Sequence, residues 1–154
     1  MIAVIQRVNN ATVYADGQYS GSIDKGLYIL LGVISGDDKK DAELLCDKIA
    51  KCRIFSDEND KMNLSCIDIS GEVMVVSNFT LGANYKHGNR PDYFASASPD
   101  TASALYEYFI ELMSKRVTKV QTGKFGAVMR TEMSTDGPVT IVMDSAVLRR
   151  KGNA

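Results

Sequence analysis

The stretch that decides the fold reads Ala127-Val128-Met129-Arg130-Thr131-Glu132-Met133, then Ser134-Thr135-Asp136-Gly137-Pro138, then Val139-Thr140-Ile141-Val142-Met143. Residue types alternate on both sides, and Asp-Gly at the junction is a favoured dipeptide of tight two-residue turns. The pattern predicts a β-hairpin with its tip at residues 136–138. Pro138 removes a backbone donor where the return strand begins, and a Gly-Pro peptide is one of the few that turn cis at modest cost. Two readings stay open for the tip: a tight turn and nothing more, or a rigid loop that presents bare carbonyl oxygens to something else.

Outward from this stretch, Ile2 to Val8 alternates as a first strand, and Ala11–Ala15 and Gln18–Ile23 flank Asp16-Gly17 as another hairpin. Leu27 to Ile34 is apolar on both faces, which suits a central strand buried on two sides, with Gly32 marking a bulge or a close backbone approach. Asp37 to Cys52 changes to helical spacing, with Ala42, Leu45, Ile49 and Cys52 on one stripe and acidic residues at its start. Arg53–Phe55 is a short strand candidate, Ser56–Lys61 a polar turn, and Met62-Asn63-Leu64 leads on toward Cys66 and Ile67. Glu72–Ser77 is a second buried strand that runs into Ser77-Asn78-Phe79-Thr80-Leu81. Ser98-Pro99 opens a second helix whose stripe, Ala102, Leu105, Tyr106, Phe109, Leu112 and Met113, is core. Lys119–Gln121 is a further strand, and residues 146–154 are expected to be a mobile tail. The whole is one α+β domain over residues 1–154: a mixed, largely antiparallel sheet with a barrel-like core and two amphipathic helices. The apolar strands offer more surface than two helices cover, so a two-fold homodimer packed sheet against sheet is expected.

The 154 residues are 45% apolar and 24% charged, with a formal charge of −1. That charge excludes a protein that grips nucleic acid by bulk electrostatics; any RNA contact has to be local. Met1 to Ile5 is too short for a signal peptide, and no run approaches a membrane span, so a cytoplasmic protein with no membrane partner is expected. Cys46, Cys52 and Cys66 are an odd number without C-x-x-C spacing and read as reduced, packed thiols. The single histidine, His87, sits in the Gly- and Asn-rich loop Gly82–Asp92, which argues against a metal site and against a His-dependent triad. The same loop carries Lys86 and Arg90 near Tyr85 and Tyr93. These are contacts for phosphates and bases, or merely a solvated loop.

Taken together, Ser77-Asn78-Phe79-Thr80-Leu81, Gly137-Pro138-Val139-Thr140, Ile2-Ala3-Val4-Ile5-Gln6-Arg7-Val8, Leu30-Leu31-Gly32-Val33, Lys61-Met62-Asn63-Leu64-Ser65, Arg90-Pro91 and Thr122-Gly123-Lys124-Phe125-Gly126-Ala127 make the chain resemble the D-aminoacyl-tRNA deacylases. These translation quality-control enzymes remove D-amino acids, and glycine wrongly charged, from tRNA. The resemblance runs from Ile2 to about Ser145. Two positions depart from the family pattern: Asn78 stands where glutamine is usual, and Thr135 where asparagine is usual.

The resemblance implies an aminoacyl-tRNA substrate, held by its terminal adenosine and amino acid, a homodimer, and no cofactor or metal. It implies that a cis Gly137-Pro138, with Val139 and Thr140 behind it, reaches into the partner subunit's site. There its carbonyl oxygens receive the substrate's α-amino group. An L side chain would strike them, a D side chain points away, and glycine escapes the filter. Backbone N–H groups of Phe79 and Thr80 would stabilise the oxyanion, at about 3 kcal/mol each, and the 2′-hydroxyl of the adenosine would help activate water. Thr80 as nucleophile is the weaker alternative, since no base is evident. Ser77 and Asn78 shape the pocket, and Phe79 is a pocket wall or core. Phe125 and Met129 match adenosine-pocket positions or are structural, and Lys86 and Arg90 are candidates for the tRNA backbone. The alternatives are a related deacylase that clears an L-amino acid mischarged on tRNA, and a catalytically silent protein that binds tRNA 3′ ends. Retained Phe79-Thr80-Leu81 and Val139-Thr140 argue against the first, and near-neutral charge against the second.

Overall fold

The computed structural model describes residues 1–150. Strand β1 (Ile2–Ala15) is the spine of a six-stranded sheet. Along one edge it pairs antiparallel first with β3 (Gly26–Gly32) and then with β2 (Gln18–Ile23). Along the other edge it pairs with β8 (Met129–Asp144). Strand β6 (Glu72–Ser77) lies parallel to β3, and β7 (Lys119–Thr122) lies parallel to β6. β2 curls back toward β7, where the Ser20 hydroxyl donates to the Thr122 carbonyl at 2.8 Å, so the sheet nearly closes into a barrel. β4 (Phe55–Ser56) and β5 (Met62–Leu64) form a separate small ribbon.

Helices α1 (Lys39–Ala50) and α2 (Pro99–Ser114) cover one face of the sheet. α1 starts where Asp38 accepts from the Lys40 N–H at 2.8 Å while Asp41 accepts from the Asp38 N–H at 2.9 Å, a reciprocal cap. Leu45, Cys46 and Ile49 of α1 and Leu105, Phe109 and Met113 of α2 bury against Ala3, Ile5, Leu27, Ile29, Val73 and Val75. Each large side chain hidden this way contributes roughly 1.5–3 kcal/mol. A second cluster, Val8, Ala11, Val13, Ile23, Tyr28, Met74 and Val76, fills the barrel interior.

The hairpin expected at residues 136–138 does not form. Residues 129–144 are one strand, because β1 is long enough to pair with both arms. Pairing runs from Ala15 opposite Met129 to Val8 opposite Thr135, then resumes from Gln6 opposite Thr140 to Ile2 opposite Asp144. Residues 136–139 therefore stand opposite Arg7 alone and loop out of the ladder. Alternation reveals strands but not their partner, and here both arms share one. Gly137 supplies φ +125° at the tip, and the Gly137–Pro138 peptide is cis, as the resemblance implied. Arg7 fixes the base of the loop: its Nε lies 3.1 Å from the Asp136 carboxylate, and its Nη1 donates to the Ile54 carbonyl at 2.7 Å.

The tail expected over 146–154 also needs correction in its first part. Ser145–Arg149 form a short helix α3, capped by Asp144, whose Arg149 pairs with Asp41 at 2.8 Å and with Asp38. A basic run reads as solvated until its acidic partners, over a hundred positions earlier, are known. The end of that tail, 151–154, lies outside the described residues. The strands expected over 2–8 and 11–15 are one continuous β1, and that expected over Arg53–Phe55 covers only Phe55–Ser56; the turn expected at Asp16-Gly17 does form, both residues taking positive φ between β1 and β2. A Cβ on Gly32 would lie 2.9 Å from the Asn78 carbonyl oxygen, so this glycine marks the close approach of a second backbone.

Candidate active site

β3 and β6 run parallel and end side by side, with Leu31 opposite Ser77. At that end the chain leaves the sheet in a 3₁₀ turn, Phe79–Gly82, held against β3 by the Asn78 N–H donating to the Leu31 carbonyl at 2.9 Å. Beside it opens a cleft of about 710 Å³. Its walls come from Tyr28 and Leu30 of β3, Ser77 to Phe79, Tyr93 and Ser96 before α2, Tyr106 of α2, Phe125, Gly126 and Ala127 ahead of β8, and Met129 at its start. Five of the residues singled out from sequence thus meet here: Ser77, Asn78, Phe79, Phe125 and Met129.

Asn78 caps the turn. Its side-chain oxygen accepts from the Thr80 N–H at 3.2 Å and from the Thr80 hydroxyl, so the amide faces its own turn. The Thr80 hydroxyl donates to an amide oxygen, which is no base, and Thr80 is not among the cleft's walls. The Phe79 N–H takes no part in these bonds. The Phe79 carbonyl accepts from the Ser96 hydroxyl at 2.7 Å, which ties the turn to the segment entering α2. Sequence reasoning missed Ser96, because nothing local distinguishes it from a loop serine. It also read Tyr106 as plain core; its hydroxyl donates to the Val75 carbonyl at 2.9 Å, and its ring lies 5.8 Å from that of Phe125.

The walls carry no Asp, Glu, His, Lys, Arg or Cys. The titratable groups in the depth of the cleft are phenols. Burial pushes the Tyr106 hydroxyl well above its ordinary value, and burial likewise raises Tyr28, whose hydroxyl shares a 2.8 Å hydrogen bond with Thr131. Both stay protonated at neutral pH and offer no general base. Such a cleft can hold, orient and polarise a reactive substrate.

The other sequence candidates lie elsewhere. Gly137 and Pro138 are exposed on the loop of β8. Val139 is half-buried against the main core, and Thr140 accepts from the Gln6 amide at 3.3 Å; none of the four lines the cleft of its own chain. Lys86 and Arg90 are exposed on a loop whose ends meet where Asn84 and Asp92 exchange backbone hydrogen bonds of 2.8 and 2.9 Å. Among the described residues no helix is long and apolar enough to cross a membrane.

A cleft whose titratable walls are phenols that stay protonated, opening on a backbone turn, suits a site that works by positioning. Comparison with known proteins shows the family. The D-Tyr-tRNA(Tyr) deacylase family profile matches residues 4–144. The chain is 51% identical over 146 residues to the D-aminoacyl-tRNA deacylase of Thermosipho melanesiensis, covering 94% of this chain and 97% of that one. It is 49% identical over 146 residues to that of Flavobacterium johnsoniae, covering 94% and 97%. Among solved structures, the c-Myc DNA unwinding element binding protein superposes with a TM-score of 0.88 at 36% identity, covering 94% of this chain and 98% of that one. A probable eukaryotic D-amino acid tRNA deacylase, at 14% identity and a TM-score of 0.81 over 92% and 97%, shares the fold. The chain belongs to the D-aminoacyl-tRNA deacylase family.

Proposed function

We propose that this chain hydrolyses the ester bond of D-aminoacyl-tRNA, and of glycine mischarged on tRNA, and spares L-aminoacyl esters. The observation that carries this reading is a cleft whose titratable walls, among the described residues, are tyrosine phenols alone, beside a turn whose Phe79 N–H has no partner among those residues. An aminoacyl ester is reactive enough to need little more than an oxyanion donor and a positioned water. The Phe79 N–H is the available donor; the Thr80 N–H is bound to the Asn78 side-chain oxygen that caps the turn. Water adds to the ester carbonyl, the bond to the ribose oxygen breaks, and that oxygen leaves with a proton. The adenosine 2′-hydroxyl relays the water's proton. Phe125 and Met129 hold the adenosine, and Ser77 and Asn78 shape the acyl end.

Handedness is set by a second copy. On the sheet face away from the helices, register places Val4 between Leu30 and Val142, and Gln6 between Tyr28 and Thr140. Val142 is 69% exposed, and the Gln6 side-chain oxygen is buried without a hydrogen-bond donor among the described residues. A face left apolar and with an unsatisfied acceptor favours a partner. Tyr28 and Leu30 also wall the cleft, and Thr140 follows the Gly137-Pro138 loop directly. A two-fold axis through this face brings one subunit's loop to the other's cleft. Carbonyl oxygens of Gly137 and its neighbours then take the substrate's α-amino group and leave no room for an L side chain. Lys86 and Arg90 meet the tRNA backbone.

Purified protein mixed with tyrosyl-tRNA of either hand tests the proposal. Free D-tyrosine is expected, with the L ester left standing. Equal release of both hands points to a deacylase without the filter, and tight binding with no release to a silent 3′-end binder; each overturns it.

A further inference from the structure

Beside the mouth of the cleft lies an aromatic surface that the proposed reaction does not use. Phe94 is 91% exposed and Tyr85 82% exposed. The rings of Phe79 and Tyr93 meet edge to face with centroids 5.1 Å apart, and both belong to the cleft wall. Phe94 follows the cleft-lining Tyr93 directly in the chain, so an exposed ring starts one residue from the cavity wall.

Its backbone is pinned. The Asn84–Asp92 pairing closes the loop at one end, bringing Tyr85 and Tyr93 to the same place in the fold. The Phe94 N–H donates to the Asp92 carboxylate at 3.3 Å, and the Ala95 carbonyl accepts from the Ser35 N–H at 2.8 Å. Ser96 N–H donates to the Tyr93 carbonyl at 3.0 Å, and Ala97 N–H to the Val33 carbonyl at 3.0 Å. A phenyl ring held out in water on a fixed backbone costs hydration that a bound partner would recover.

Charge indicates which partner. Between Ala83 and Ala97 the cations are Lys86 and Arg90, and the only carboxylate, Asp92, is occupied by Asn84 and the Phe94 N–H. Exposed aromatic rings on a segment whose two cations make no ion pair among the described residues suit single-stranded nucleic acid, whose bases stack and whose phosphates seek positive charge.

We infer that Phe94 and Tyr85 form a stacking platform for the unpaired nucleotides preceding the terminal adenosine of the tRNA. This inference rests on the reading of the cleft as the site for that adenosine. The terminal nucleotide enters the cleft, its single-stranded neighbours lie across the two rings, and Lys86 and Arg90 take the phosphates between them. The platform adds affinity for tRNA over the isolated aminoacyl-nucleoside, without sequence reading by the rings themselves.

The test compares D-tyrosyl-tRNA with D-tyrosyl-adenosine, which ends where the platform begins. Phe94→Ala and Tyr85→Ala are expected to lower kcat/KM on the tRNA ester at least about fivefold, mainly through KM, and to leave the adenosine ester unaffected. Phe94→Trp restores the tRNA value. Because the chain has no tryptophan, that variant also reports binding directly: its fluorescence should be quenched by the uncharged tetranucleotide ACCA. Equal losses on both esters, or no loss on either, overturn the inference. So does a Phe94→Ala variant that sediments as a monomer where the parent is a dimer, since the ring would then cover a second copy. If the parent cleaves neither ester, the functional reading fails, and ACCA quenching alone then upholds or overturns the platform.

Discussion

Replacing Gly32 with alanine perturbs the reaction through the backbone alone. The new methyl carbon would lie 2.9 Å from the Asn78 carbonyl oxygen and 2.9 Å from Leu81 Cβ. Carbon–oxygen contacts settle at about 3.3 Å or more, so the turn carrying Phe79 and Thr80 has to retreat by about 0.4 Å. The obstructing oxygen is backbone, held indirectly by the Asn78 N–H bond to Leu31, so no side-chain rotation relieves it. Overpacking of this kind costs about 1–3 kcal/mol of stability. A displacement of about 1 Å can cost a hundredfold in rate, so a shift under half that size should lower kcat about tenfold. Urea unfolding and single-turnover deacylation of D-tyrosyl-tRNA measure the two effects separately. Gly36→Ala is the control: it also loses stability, because Gly36 has φ +92°, yet its added Cβ meets nothing within 4 Å, and kcat should hold. A Gly32→Ala enzyme with undiminished kcat would refute the claim that the turn's backbone position governs the reaction.

Further outcomes follow from the same geometry. Thr80→Val should lower kcat by less than about tenfold, because its hydroxyl serves the Asn78 cap; a loss on the order of 10⁴ or more would make Thr80 a nucleophile. Burial pushes the Cys46 thiol up to about 11 and the Cys66 thiol up to about 12, so both should resist alkylation at pH 8 and react in urea; rapid labelling of the native protein would contradict the packing. Burial alone would raise the Asp41 carboxyl, but the Asp38 N–H, the Ser145 hydroxyl and Arg149 outweigh it and hold it below the usual range. Its contribution is therefore complete above the unfolded value of about 3.9 and fades as pH falls through the lower native one. Arg149→Met should lower the urea midpoint at pH 7, with the gap to the parent narrowing in acid; a constant gap would rule out this ion pair as the cause.

What the sequence disclosed was local or close to it. Asp16-Gly17 specifies its turn within two residues, Ser98-Pro99 starts α2, and Gly32 left a bulge or a close approach open, of which the structure shows the second. Ser77 to Phe79 led to the cleft through the family resemblance, while the apolar run of 72–77 marked only the buried strand before them. The failures were failures of pairing at long range. Alternation around Gly137 is the same whether the arms pair with each other or with β1, and only the length of β1 decides. Arg149 looks solvated until Asp41 is folded against it. Ser96 gains its role from the Phe79 carbonyl, and Asn78 spends its amide on its own turn, neither of which a one-dimensional pattern records.

The central claim is that one subunit's Gly137-Pro138 loop guards the other's cleft. The most direct measurement uses a heterodimer of two differently tagged subunits, one with residues 137–139 shortened, the other with its cleft filled by Ala127→Trp. Its single open cleft belongs to the subunit without a loop and faces the partner's intact one. The account predicts that this heterodimer cleaves D-tyrosyl-tRNA and spares the L ester, although the loop-shortened homodimer cleaves both. A heterodimer that cleaves the L ester as readily as the D ester would contradict it.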